Sequence, residues 1–212
     1  IVSGSVRRFE RSDVSIDLGR YEALLPNRER VPTAEYQIGV RIRCYVKAVE
    51  NSIHGPEIIL SRADPQFVIK LFKLEVSEIS DGTIEIKGIA REPGFRTKLA
   101  VWSRDDKVDP VGACVGLRGQ RVKNIVRELN NEKVDIIKWD PGIQVFITNA
   151  LAPAKLKSFQ IDAENKRAKI LVSPDQLSLA IGKRGQNARL TSKLTGWHVD
   201  IEAETVATSS FE

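Results

Sequence analysis

The 212-residue chain has no methionine, two cysteines, two histidines and few aromatic residues, 6% of the total. Each shortage excludes something. Cys44 and Cys114 stand on separate apolar-patterned segments, so they read as buried free thiols in a reducing, cytoplasmic setting rather than as a disulfide framework. His54 and His198 have no cysteine or carboxylate cluster beside them at ligand spacing, which leaves a zinc site or a Cys/His nucleophile without support. We therefore expect no metal, no cofactor and no catalytic residue, and a structural role for His198 beside Trp197. No apolar run approaches the roughly 18–20 residues of a membrane span, and no signal peptide precedes the first strand-like segment, so no membrane role is expected. A chain that opens at Ile1 and lacks Met reads as a piece of a longer protein.

Acidic residues are missing from two particular places. Gly116 to Arg127 carries Arg118, Arg121, Lys123 and Arg127 without an Asp or Glu, and Gly182 to Lys193 carries Lys183, Arg184, Arg189 and Lys193 without one. These eight cations exceed the +5 of the whole chain and leave the remainder at −3. A basic excess suits a polyanionic partner, and its concentration says where that partner would sit. Elsewhere the chain is ordinary, 42% hydrophobic and 29% charged, as expected of a folded globular protein.

Organisation follows from periodicity. Val40 to Ala48 alternates apolar and polar residues, the pattern of a half-buried strand. Ile1 to Arg8, Asp13 to Asp17, Glu22 to Leu25 and Glu57 to Ser61 are further strands, separated by turns such as Ile53-His54-Gly55-Pro56. Five short strands in about sixty residues predict a small closed barrel of the OB type. From Pro65 the spacing turns helical, to Ser77, with strands at Thr83 to Arg91 and Arg96 to Ser103. A short helix opens at Asp109-Pro110, a longer one runs from the Gly116–Gly119 break to about Asn130, and a strand follows at Lys133 to Trp139.

The next seventy residues repeat this order. A helix at Ile143 to Leu151 precedes strands at Lys155 to Asp162 and Ala168 to Val172. Ser173-Pro174-Asp175-Gln176 outlines a capping box, Gly182 to Gly185 breaks the helices, and Val199 to Glu202 is the last strand. An offset of 66 residues superposes Gly116 on Gly182 and Gly119 on Gly185. It also places Arg118 on Arg184, Gln120 on Gln186, Lys123 on Arg189 and Arg127 on Lys193. The chain therefore contains a duplicated unit.

Both copies hold a Gly-x-x-Gly frame: VGLRGQ with Gly116, Leu117, Arg118, Gly119 and Gln120, and IGKRGQ with Gly182, Lys183, Arg184, Gly185 and Gln186. A lone frame of this kind is usually a tight basic turn. Its recurrence with matched cations inside an acid-free segment favours a phosphate-binding loop, because the following helix aims free N–H groups and its positive end at the break. A nucleotide P-loop is excluded, since no Ser or Thr follows the second glycine and both frames lie between helices. No parallel βαβ unit supports a dinucleotide fingerprint. Element order and G-x-x-G together match the KH module, which clamps about four nucleotides of single-stranded RNA.

The stretches GPEIILSRADPQFVIKLFKLEV, AREPGFRTKLAVWS, VDPVGACVGLRGQRVKNIVRELNNEKVDII and DQLSLAIGKRGQNARLTSKLTGWHVDI resemble the RNA-binding portion of the NusA family of bacterial transcription factors, over essentially the whole chain. The resemblance implies a multidomain protein: an all-β OB-fold (S1-type) barrel followed by two α+β type II (prokaryotic) KH domains. The corresponding limits are 1–62, 63–140 and 141–207, with a C-terminal tail at 208–212. It further implies a cytoplasmic, non-enzymatic monomer that binds nascent single-stranded RNA and modulates pausing, termination and antitermination by RNA polymerase. Polymerase would be reached through a domain outside this sequence, alongside other antitermination factors.

Within that frame Lys183, Arg184 and Arg118 are expected on phosphates, with Gly116, Gly119, Gly182 and Gly185 allowing close approach. The pairs Lys123/Arg127 and Arg189/Lys193 form i, i+4 stripes beside them. Leu117 in place of Lys183 makes the first loop the weaker grip. The two halves, joined without a Gly/Ser tether, are expected to act on one track of eight or more nucleotides. Val115 and Ile181 are possible groove walls read chiefly as core, while Arg41, Arg43, Tyr45, Lys47, Phe9 and Tyr21 make the barrel an auxiliary or protein-contact surface. A fragment of an RNA-processing enzyme such as a polynucleotide phosphorylase fits less well, because there one KH domain precedes the barrel while here the barrel comes first and two follow. A ribosomal or scaffold protein would carry basic tails and a larger charge excess.

Overall fold

The structure, a computed structural model, describes residues 1–205. The expected tail at 208–212 lies outside the described residues. Alternating sequence builds β1 (Val2–Glu10), β2 (Asp13–Asp17), β3 (Glu22–Leu25), β4 (Arg41–Ser52) and β5 (Gly55–Ser61). They close into a barrel in the order β1-β2-β3-β5-β4, with β3–β5 parallel and the other pairings antiparallel. One face of each strand fills the interior with Val6, Val14, Ile16, Ala23, Leu25, Cys44 and Leu60. Gly55 and Pro56, expected in a turn, instead pair with Ser52 and Asn51, and a bulge between Val46 and Ala48 shifts the register of β4.

Two α+β halves follow. The first comprises α1 (Pro65–Glu75), α2 (Ser77–Ser80), β6 (Ile84–Glu92), β7 (Arg96–Ser103), α3 (Pro110–Val115), α4 (Gln120–Glu128) and β8 (Lys133–Lys138). The second comprises α5 (Ile143–Leu151), β9 (Ser158–Asp162), β10 (Arg167–Val172), α6 (Leu177–Ile181), α7 (Gln186–Thr195) and β11 (His198–Ala203). Each half forms a three-stranded sheet with its second strand in the middle, β6-β7-β8 and β9-β10-β11. Asp64 and Asp109 cap their helices through Gln66 N (2.8 Å) and Val111 N (3.1 Å), with proline at the first position of each.

Three local expectations need correction. The first helix stops at Glu75, because Val76 turns to extended backbone and α2 starts afresh. α4 ends two residues before Asn130, since Asn130 and Asn131 both take positive φ. The capping box at Ser173 does not form: that residue makes no cap bond, and Gln176 Oε1 instead accepts from Lys155 N at 3.0 Å.

The chain divides into two compact units, one of residues 1–85, 91–97 and 103–134, the other of 86–90, 98–102 and 135 onward. Within the first, the barrel is tied to α4 and β6 by buried arginines. Arg62 donates to the Arg43 and Glu128 carbonyls and lies 4.9 Å from the Phe67 ring centroid. Arg91 donates to the Arg62 and Asp64 carbonyls and pairs with Glu132 at 3.0 Å, both side chains being fully buried. Glu132 also accepts from Gly94 N and Thr97 Oγ1, each at 2.6 Å, so the buried carboxylate is well satisfied. Within the second unit, Ala90, Ala100 and Ile137 pack against Phe146 and Ala150 of α5 and Leu190 and Leu194 of α7. Lys98, buried there, donates to Asp135 Oδ2 (2.9 Å) and the Ala150 carbonyl (2.7 Å).

Candidate nucleic-acid interface

The duplicated frames adopt one backbone. Gly116 and Gly182 stand at φ 79, ψ 171 and φ 80, ψ 168; Arg118 and Arg184 at φ 55, ψ 26 and φ 56, ψ 27; Gly119 and Gly185 at φ 71, ψ 15 and φ 74, ψ 12. An arginine held at positive φ in both copies costs conformational energy that a plain surface turn could avoid by using glycine or asparagine. The strain is tolerated because the loop is braced from the helix behind it. Lys123 Nζ donates to the Arg118 carbonyl (3.2 Å), and Arg189 Nη1 to the Arg184 carbonyl (2.9 Å).

The four glycines serve two purposes. A Cβ on Gly116 would lie 2.7 Å from Arg121 Cγ and 3.0 Å from its backbone N, and one on Gly182 would lie 2.8 Å from Asn187 N and Cβ. These first glycines let the loop fold back on the following helix. A Cβ on Gly119 or Gly185 would meet nothing closer than 3.7 Å, so the second glycines serve only the backbone angle and leave the loop's outer side open.

Two residues that the charge count did not separate from the rest now stand out. Arg121 Nη1 reaches the Ala113 carbonyl and Glu78 Oε2, each at 2.8 Å, while buried Asn187 donates to the Ala180 carbonyl at 3.0 Å. They are counterparts at the same 66-residue offset, and each ties the helix after the break to the helix before it. Their shared role was hidden because their side chains differ. Glu78, held below its usual range by its own backbone N–H and by the Arg121 guanidinium, removes one charge from the first basic segment.

Around the two loops five further cations are uncommitted. Among the described residues, the side chains of Arg118, Arg127, Lys183, Arg184 and Lys193 have no hydrogen-bond or ion-pair partner, and all five are exposed. Leu117 is 86% exposed where the second loop carries Lys183. Gln120 is engaged with Asn124 Oδ1 at 2.9 Å. Lys123, Arg127, Arg189 and Lys193 line one exposed side of α4 and α7, helices whose N-caps at Gly119 and Gly185 contribute no side-chain bond. Each break thus presents a helix N-terminus without a side-chain cap, its positive end, and exposed cations around an open backbone, an arrangement that attracts phosphate. Ile181 packs against the core of its half, as the core reading had it, while Val115 is half-buried.

The barrel face is less available than its sequence suggests. Lys47 is held by Glu29 and by Asp64 (3.3 Å), so it is a structural cation. Arg41 and Arg43 stay exposed, as do Phe9 and Tyr21.

Comparison with known proteins fits this geometry. Residues 62–139 match the family model described as the NusA-like first KH domain, and 143–209 the NusA-like second KH domain. Transcription termination/antitermination protein NusA of Thermus thermophilus is 49% identical over 203 residues, covering 95% of this chain and 52% of the relative. Those of Bacillus subtilis and Halalkalibacterium halodurans are 48% and 47% identical, each over 98% of the chain and 56% and 54% of the relative. The chain spans about half the length of the curated relatives it matches. With two KH matches in tandem, and near-half identity across almost its full length, the chain belongs to the NusA family.

Proposed function

We propose that the chain is an RNA-binding module, without catalytic activity, made of a barrel (1–62) and two KH units (63–140 and 141–207), each of which clamps about four nucleotides of single-stranded RNA at its glycine frame. In this reading Arg118, Lys183 and Arg184 contact phosphates at the breaks. Arg127 and Lys193 extend the contact along α4 and α7, and Lys123 and Arg189 hold the loops in shape. In the whole protein this binding would serve transcription termination and antitermination, with RNA polymerase and other factors as partners, by analogy with the names of the relatives. A cytoplasmic monomer fits that role.

The observation that carries the reading is the near-identical strained backbone of the two frames, flanked by Arg118 and Arg127 at the first and Lys183, Arg184 and Lys193 at the second, which have no ion-pair partner among the described residues. Lys183→Asp with Arg184→Asp tests it, read by fluorescence anisotropy on a twelve-nucleotide RNA. The double variant should lose binding while its circular dichroism stays unchanged. If four cations of the wild type contact phosphate, log affinity should fall with log salt at a slope of roughly −3. Undiminished binding by the variant, or an affinity indifferent to salt, would overturn the proposal.

A further inference from the structure

We propose that the barrel and the first α+β half share a second nucleotide site, a junction cleft that takes a nucleotide of the RNA strand leaving the first glycine frame. The inference rests on the RNA-binding reading above and adds residues outside the loops. The cleft, about 310 Å³, is lined by Arg43 of β4, Leu71, Leu74 and Glu75 of α1, and Asn124, Ile125, Arg127 and Glu128 of α4. That volume lies at the lower end of the range for ligand pockets. All of it belongs to the first compact unit.

Its chemistry separates into committed and uncommitted groups. Glu128 is 3.4 Å from the buried Arg62, which neutralises it, and Glu75 accepts from Asn124 Nδ2 at 2.7 Å. Arg43 and Arg127, by contrast, have no partner among the described residues. Leu71 and Ile125 belong to the core, but Leu74 leaves 65% of its surface exposed at the same wall. Two free guanidiniums beside an exposed apolar side chain suit a phosphate and a base face together.

The position of the cleft selects the occupant. Arg127 lies seven residues beyond Gln120, where α4 begins, so it stands roughly 10 Å along the helix from the frame at a rise of about 1.5 Å per residue. A strand gripped at Arg118 and following the exposed side of α4 passes Lys123, then Arg127, then the cleft. The strand meets Arg43 only if it is longer than the roughly four nucleotides one frame holds.

The test compares a five-nucleotide and a twelve-nucleotide RNA on the whole chain, with wild type, Arg43→Ala, Arg43→Lys and the loop variant Arg118→Asp/Lys183→Asp/Arg184→Asp. Arg43→Ala should weaken the twelve-mer roughly tenfold, the loss of one charge-assisted phosphate contact. It should also make the salt slope about 0.7 shallower and leave the five-mer unchanged. Arg43→Lys should restore most of the slope. The fold is safeguarded, because the Arg43 group used structurally is its backbone carbonyl, which accepts from Arg62. Equal losses on both RNAs, or none on the twelve-mer, would overturn the junction site. If the loop variant binds both RNAs normally, the underlying reading fails instead. A titration with AMP, followed by NMR at Leu74 and Ile125, separates a strand from a free nucleotide. Saturation by AMP with the twelve-mer unaffected by Arg43→Ala would refute the strand proposal.

Discussion

Gly182→Ala and Gly185→Ala look equivalent in sequence, yet the structure separates their costs. At Gly182 the backbone sits at φ 80, ψ 168, a region nearly closed to L-residues, where strain costs on the order of 1–3 kcal/mol. The new methyl would also lie 2.8 Å from Asn187 N and Cβ, on a helix pinned by its bond to the Ala180 carbonyl. Relieving that overlap adds on the order of 1–3 kcal/mol, for a total of about 2–6 kcal/mol. At Gly185 the backbone is left-handed helical and the nearest atom, Arg189 Nη1, is 3.7 Å away, so the cost is about 1–2 kcal/mol from conformation alone. Urea unfolding should therefore show Gly182→Ala as the much larger loss, with unchanged m-values confirming that the transition itself is the same. RNA affinity should rank the other way once corrected for folding. A methyl at Gly185 stands on the open side of the loop, in the proposed path of the phosphate, while the fold survives. Equal destabilisation by the two variants would refute the assignment of separate roles to the two glycines. So would a neutral Gly182→Ala.

Other outcomes follow from the buried groups. Glu132→Gln leaves Arg91 charged and fully buried, and should cost about 3–5 kcal/mol of stability by urea unfolding; a loss below 1 kcal/mol would mean that water or a rearranged carboxylate replaces the pair. Burial raises the Cys44 and Cys114 thiols to about 12, above the ordinary 9.0. Since the folded values lie above the unfolded ones, their contribution is intact below about pH 9 and is lost as the pH rises from there toward 12, which a series of urea midpoints should register. At pH 8 neither thiol should react with a disulfide reagent until denaturant is added.

Much of this protein could be read before folding. Alternation over Val40 to Ala48 and the turn residues between short strands are local consequences of the strand period, and they located the barrel. The proline-capped starts at Pro65 and Pro110 and the recurrence of Gly-x-x-Gly at an offset of 66 are local or repetitive too, and they located the two halves and both frames. What failed was decided by competition between neighbours. Ser173 carries the letters of a capping box, but Gln176 finds the Lys155 N–H instead, a partner 21 residues away.

The sequence alone determined the element order, the duplication and the places where positive charge gathers, because periodicity and composition are properties of short segments. Tertiary structure alone decided which cations are available. Lys47, Lys98 and Arg121 look no different in sequence from Arg43, Arg127 and Lys183, yet the first three meet a carboxylate across the fold and the last three meet none among the described residues. It also decided that Arg118 and Arg184 are held at positive φ by a cation five residues on, and that Arg43 of the barrel faces the same cleft as Arg127 of α4. Pairing depends on distances between residues far apart in the chain, and those distances exist only once the hydrophobic cores have brought the elements together.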